Sequence, residues 1–116
     1  PLEAHRLTGQ SFDDRFIMLE LLETLYEATW VLKGAGTLVT GKPTWLNPLA
    51  NPVLGTAGSG DVLAGMIGSL WAQGSKSPGI TGVWLHSQAF LAALDQRGSD
   101  VIASDAIEVI GRIKTA

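Results

Sequence analysis

The chain has 116 residues, 46% of them hydrophobic, a formal net charge of −3 and no cysteine. That is material for one domain with a real apolar core, and it excludes disulfides and thiolate chemistry. The eight lysines and arginines are scattered singly, without the basic patch of a nucleic-acid surface, and no apolar run approaches the roughly 18 residues of a membrane span; the expectation is a cytoplasmic protein that binds neither nucleic acid nor membrane.

In chain order, Ser11 stands where it can cap a helix running to about Tyr26, with Phe12, Phe16, Leu19, Leu22 and Tyr26 near one face. Ala28 to Lys33 is short, apolar and stopped by Gly34, which predicts a strand. Thr37 to Thr40 and Thr44 to Leu46 predict a hairpin across Gly41-Lys42-Pro43. Asn47 to Gly60, rich in Pro, Gly and Asn, predicts a loop. Helices are predicted over Asp61 to Gln73, Gly79 to Gln96 and Asp105 to Lys114. In the second of these Ile80, Val83, Trp84, Ser87, Phe90, Leu91 and Leu94 fall at helical spacing and predict a core stripe. A strand, a hairpin and three helices in that order describe the tail of a layered α/β fold. A sheet of three strands leaves an edge open to association, expected near Ala28 to Lys33.

The most informative segment is Gly55-Thr56-Ala57-Gly58-Ser59-Gly60-Asp61-Val62-Leu63-Ala64-Gly65. A glycine-rich turn runs into an amphipathic helix with one carboxylate at the junction. Gly58 and Gly60 are expected to bend the backbone through φ > 0 and to admit a ligand closely. The first amides of a helix lack intrahelical partners and carry the positive end of its dipole, which makes a phosphate cradle. The plainer alternative is a loop and an N-cap, a position that aspartate favours. Val62, Leu63, Met66, Ile67, Leu70 and Trp71 predict a buried stripe. Gly65 and Gly68 beside Ala64 each cost helix stability, about 1 kcal/mol, and so predict a very close neighbour on that face.

These residues carry a family resemblance. Asn47-Pro48, Asn51-Pro52, the Gly55 to Gly65 string and Ala72-Gln73-Gly74 resemble the C-terminal half of the NAD(P)H-hydrate dehydratases, ATP- or ADP-dependent repair enzymes of the ribokinase-like superfamily. Val31-Leu32-Lys33-Gly34-Ala35-Gly36-Thr37 resembles the family's nucleotide-contacting Lys-Gly-x-x-Thr segment, and Ile102-Ala103-Ser104-Asp105 the stretch before its last helix. Pro1-Leu2-Glu3-Ala4 is similar to a segment in which His-Pro precedes a Glu at the edge of the hydrate pocket. The resemblance implies a three-layer α/β/α ribokinase-like domain about twice as long as this chain, of which residues 1–116 are the C-terminal portion with the N-terminal half missing. It also implies association with that half, or a homo-oligomer.

By the same resemblance, Asp61 is the catalytic base and contacts the substrate, hydrated NADH or NADPH (NADHX or NADPHX). Lys33, Gly34, Ala35, Gly36 and Thr37 contact the nucleotide, as do Thr56, Ala57, Gly58, Ser59 and Gly60. Asn51 is expected beside the substrate with Asp61, where it orders the loop or reaches the phosphates or a metal-bound water; a turn-forming Asn is the commoner case. No His, Asp or Glu grouping has protein-only metal-ligand spacing, so Mg2+ is expected to arrive with ATP or ADP. His86, alone on an apolar stripe, is expected to be a hydrogen-bonded core or interface histidine. Trp30, Trp45, Trp71 and Trp84 are expected in core or interface; Asp95, Asp100 and Asp105 are expected as surface or capping residues. Two alternatives stand beside the dehydratase: a kinase of the same superfamily acting on a sugar or a hydroxymethyl heterocycle, and a folded piece with no activity that serves interaction or oligomerisation.

Overall fold

A computed structural model describes residues 2–113, so Pro1 and Lys114 of the predicted segments lie outside the described residues. The fold is mixed α/β, and the chain divides into two compact units, residues 1–48 and residues 49–116, each taken by itself.

The first unit opens with a helix that periodicity did not mark, α1 (Leu2–Thr8), which buries only Ala4. It closes with Gly9 at φ 71, whose amide donates to the His5 carbonyl at 2.7 Å. Helix α2 (Arg15–Leu25) starts later than predicted, because Asp14 and not Ser11 is its cap. The Asp14 carboxylate accepts from the Phe16 amide at 2.8 Å, whereas the Ser11 hydroxyl shares a hydrogen bond with His5 Nδ1 at 2.9 Å. The shift moves the buried face. Met18, Leu19 and Leu22 form the core with Ala4, Leu32 and Leu38, with Phe12 and Trp30 packed at its margin. Phe16 and Tyr26, predicted on that face, are exposed.

Strand β1 (Val31–Leu32), β2 (Leu38–Val39) and β3 (Trp45–Leu46) pair antiparallel in the order β1-β2-β3. The register sets Val31 opposite Val39 and Leu32 opposite Leu38, then Leu38 opposite Leu46 and Val39 opposite Trp45. The predicted strand over Ala28 to Lys33 shrinks to two laddered residues. Its N-terminal side is tied further by Trp30, whose amide donates to Thr40 Oγ1 at 2.8 Å. The hairpin falls where predicted, and β1 is an edge of this sheet.

The second unit starts with a single 3-10 turn, Pro52–Gly55, inside the predicted loop. Then come α3 (Ser59–Ala72), α4 (Pro78–Arg97) and α5 (Ala103–Ile110). Helix α4 is the centre, packed against α3, α5 and the 3-10 turn. It is buried nearly all round, which a single stripe does not convey: Val83, Ser87 and Phe90 are buried as predicted, but so are Gly79, Gly82, Leu85, His86, Ala89 and Ala93. Ala89, Phe90 and Ala93 make a core with Val101, Ala106 and Val109. Helix α5 begins two residues before the predicted Asp105. Asp105 is buried in its first turn, where it accepts from the Ile102 amide and pairs with Arg97 Nε, both at 2.9 Å.

Two expectations for α3 are corrected. Leu63 and Met66 are buried, but Trp71, at the end of the predicted stripe, is 74% exposed. The glycines at 65 and 68 have no close neighbour: a Cβ at either would meet nothing within 4 Å. The close approach lies on the opposite helix, where a Cβ on Gly82 would stand 2.6 Å from Ile67 Cγ1.

Candidate nucleotide site

The segment before α3 is held by its own hydrogen bonds. The Asn51 side chain accepts from the Val53 amide at 2.9 Å and caps the 3-10 turn, the plainer of the roles weighed for it. Thr56 closes the turn twice on the Val53 carbonyl, through its hydroxyl at 2.6 Å and its amide at 3.1 Å. The Ser59 amide then donates to the Thr56 carbonyl at 2.9 Å, and the Val62 amide to the Gly58 carbonyl at 3.2 Å.

Gly58 sits at φ 84, the left-handed region that side chains oppose, and a Cβ there would come within 3.4 Å of Ala103. This contact brings the glycine turn beside the start of the Ala103-Ser104-Asp105 stretch. Gly60 differs from its expectation. It lies in the first turn of α3 and has no positive φ, because the helix begins at Ser59 rather than Asp61. The Ser59 amide is already engaged within the turn. Among the described residues the amides of Gly58, Gly60 and Asp61 carry no backbone hydrogen bond. These are the donors a phosphate oxygen would find at a helix N-terminus.

Asp61 is the third residue of α3 and is exposed. The helix dipole favours a carboxylate there, and exposure leaves it accessible to a substrate. Behind this turn stands His86, 6% exposed, whose Nε2–H donates to the Ser59 carbonyl at 2.9 Å while its ring tilts against Phe90 at 4.7 Å. The histidine is thus hydrogen-bonded within the core, and it reaches the glycine turn from the neighbouring helix. Sequence gave no sign of that partner.

The Lys33–Thr37 loop belongs to the first unit and leaves β1 at Lys33, which is exposed. Gly34 at φ 154 and Gly36 at φ 73 carry it through conformations reserved for glycine. The Thr37 hydroxyl, expected as a nucleotide contact, donates at 3.3 Å to the Gly34 carbonyl across the loop. Arg15, overlooked in the sequence, holds the loop from beneath: Nη2 donates to the Ala35 carbonyl at 2.6 Å and the Gly36 carbonyl at 2.8 Å. The Glu3 carboxyl lies below the ordinary carboxylate range, first through a hydrogen bond from its own backbone amide and then through the charge of Lys33.

Among the described residues no three His, Asp or Glu side chains gather to hold a metal ion, and no helix is long and apolar enough to cross a membrane.

A family profile for NAD(P)H-hydrate dehydratase matches residues 1–112. The chain belongs to the NAD(P)H-hydrate dehydratase family. Relatives in that family include the ADP-dependent (S)-NAD(P)H-hydrate dehydratase of Neisseria meningitidis, 44% identical over 77% of this chain and 33% of its own length. The bifunctional NAD(P)H-hydrate repair enzyme Nnr of Coxiella burnetii is 38% identical over 90% of this chain and 23% of its own. That of Moorella thermoacetica is 36% identical over 95% and 22%. The chain therefore spans a third or less of the length of these relatives. No solved structure matches it significantly. The relatives' names favour neither the superfamily kinase nor the interaction piece over the dehydratase.

Proposed function

We propose that this chain serves ATP- or ADP-dependent repair of hydrated NADH and NADPH, as the C-terminal portion of a ribokinase-like domain with three α/β/α layers. The domain assignment draws on the family match and on the share of the relatives that the chain spans. The observation that carries the site is the start of α3: a left-handed Gly58, unpaired amides at Gly60 and Asp61, and an exposed carboxylate on the same turn.

In this reading the reaction is transfer of a phosphoryl group to the hydroxyl of the hydrated nicotinamide ring, followed by loss of phosphate and of a proton from the neighbouring ring carbon, which restores the ring double bond. Asp61 takes the hydroxyl proton as general base. The Thr56–Gly60 turn holds the transferring group, and its backbone amides meet the charge that develops on the phosphoryl oxygens. Lys33 to Thr37 contact the rest of the nucleotide, and Asn51 keeps the approach to the turn in shape beside the substrate. Such chemistry is mostly positioning and electrostatics, so one carboxylate and two glycine loops are suited to it. Mg2+ fits this donor set only as a companion of the nucleotide phosphates, keeping water ligands. A cytoplasmic location, where NADH and NADPH turn over, is part of the same proposal.

Asp61→Asn in the whole protein is the test. Turnover of hydrated NADH should fall 10²–10⁴-fold, the usual worth of a general base, while nucleotide affinity stays near wild type. Near-normal turnover by the Asn variant would reduce Asp61 to a residue that only complements the helix dipole.

A further inference from the structure

We propose that Arg15 is a positioning residue that shapes the Lys33–Thr37 loop for a polyphosphate. The proposal rests on the nucleotide reading of that loop. One guanidinium nitrogen accounts for two consecutive loop carbonyls, those of Ala35 and Gly36, at 2.6 and 2.8 Å. A trans peptide is planar, with its N–H opposite its C=O. Carbonyls drawn toward Arg15 therefore turn the following amides, of Gly36 and Thr37, away from it. Among the described residues the Gly36 amide has no backbone acceptor, and the Thr37 amide only loosely closes the turn on the Gly34 carbonyl. Successive amides turned outward in a loop with left-handed residues form an anion-binding concavity, and a nucleoside di- or triphosphate is the chemistry that fills it.

The glycines fit the same arrangement. A Cβ on Gly34 would stand 2.8 Å from Arg15 Nη1, so the guanidinium occupies the space a side chain would need. Nη1 itself is buried without a hydrogen-bond partner among the described residues. That leaves one nitrogen of a cationic group beside the loop without an acceptor, and the cation is of the sign a polyphosphate requires. An arginine placed only to tie α2 to the sheet would have no reason to spend its donors on two successive carbonyls of one glycine loop.

Two variants of the full chain separate these roles. Arg15→Met keeps the apolar stem and removes the donors; Arg15→Lys keeps the charge without the planar fork. Amide hydrogen exchange and titration with ADP and with ATP are measured on each. In Arg15→Met the protection that saturating ADP or ATP gives the Gly36 and Thr37 amides should fall at least tenfold while exchange at Leu32, Leu38 and Val39 stays as it is. Nucleotide affinity should fall at least tenfold, with Arg15→Lys between Met and wild type. Unchanged nucleotide protection of the loop overturns the proposal, and so does faster exchange shared equally by loop and sheet, which would make Arg15 purely structural. If neither nucleotide binds or protects the loop in the wild-type chain, the nucleotide reading fails and the proposal falls with it; binding to the wild type with no change in Arg15→Met overturns the proposal alone.

Discussion

His86 stabilises the turn that presents Asp61 by supplying an N–H to the Ser59 carbonyl from within the core of the second unit. Replacing it by leucine keeps the bulk and removes one of the two donors to a carbonyl that the helix bond from the Leu63 amide still serves, at a cost of about 0.5–1.5 kcal/mol. Urea denaturation of His86→Leu should show that loss as a lower midpoint with an unchanged slope. His86→Gln, which restores an N–H at similar reach, should recover part of it. An unchanged midpoint in the leucine variant would mean that water serves the Ser59 carbonyl equally well. Single residues were legible unevenly. Asp61 and Gly58 could be found because a glycine turn meeting a helix leaves a mark in consecutive residues. Gly60 could not be placed, since a helix that starts two residues early turns a flexible loop position into a helical one. Arg15 was invisible: its acceptors are backbone carbonyls twenty residues away, and no side-chain pattern encodes a carbonyl.

Elements with a strong period were read well and those without one were not. Helix α4 and the hairpin are long or sharply punctuated, so composition located them. Helix α1 was missed because seven residues burying only Ala4 leave no stripe. Glycine in α3 and α4 shows what sequence cannot supply, which is the identity of the neighbour. Gly65 and Gly68 look out onto open space, whereas Gly82 faces Ile67. Gly68→Ala should therefore raise stability by up to about 1 kcal/mol, the helix propensity difference. The same substitution at Gly82 should lower it by about 1–3 kcal/mol, because the intruding methyl meets a β-branched side chain and the α3 backbone behind it. Thermal unfolding of the two alanine variants side by side checks this. Stabilisation at Gly82 would mean that α3 and α4 separate more easily than their packing suggests.

Across the whole molecule, apolar surface is plentiful. Leu2, Phe16 and Leu25 in the first unit are each at least half exposed, as are Trp71, Ile102 and Ile107 in the second. Burying such surface is worth about 25 cal/mol per Å², so the 116-residue chain by itself is expected to self-associate. Sedimentation at low micromolar concentration should find a dimer or larger species; a monodisperse monomer would show that these side chains tolerate water as they are. The exposed indole of Trp71 gives this question an optical gauge. Trp30, Trp45 and Trp84 are partly buried, so Trp71 is the tryptophan whose emission should be red-shifted and readily quenched by a soluble collider while its helix face is bare. It lies ten residues along α3 from Asp61, about 15 Å by the helical rise, far enough to leave the chemistry alone. Whatever covers that helix, a second copy or another polypeptide, would announce itself as a blue shift, and a Trp71→Phe variant would be blind to it.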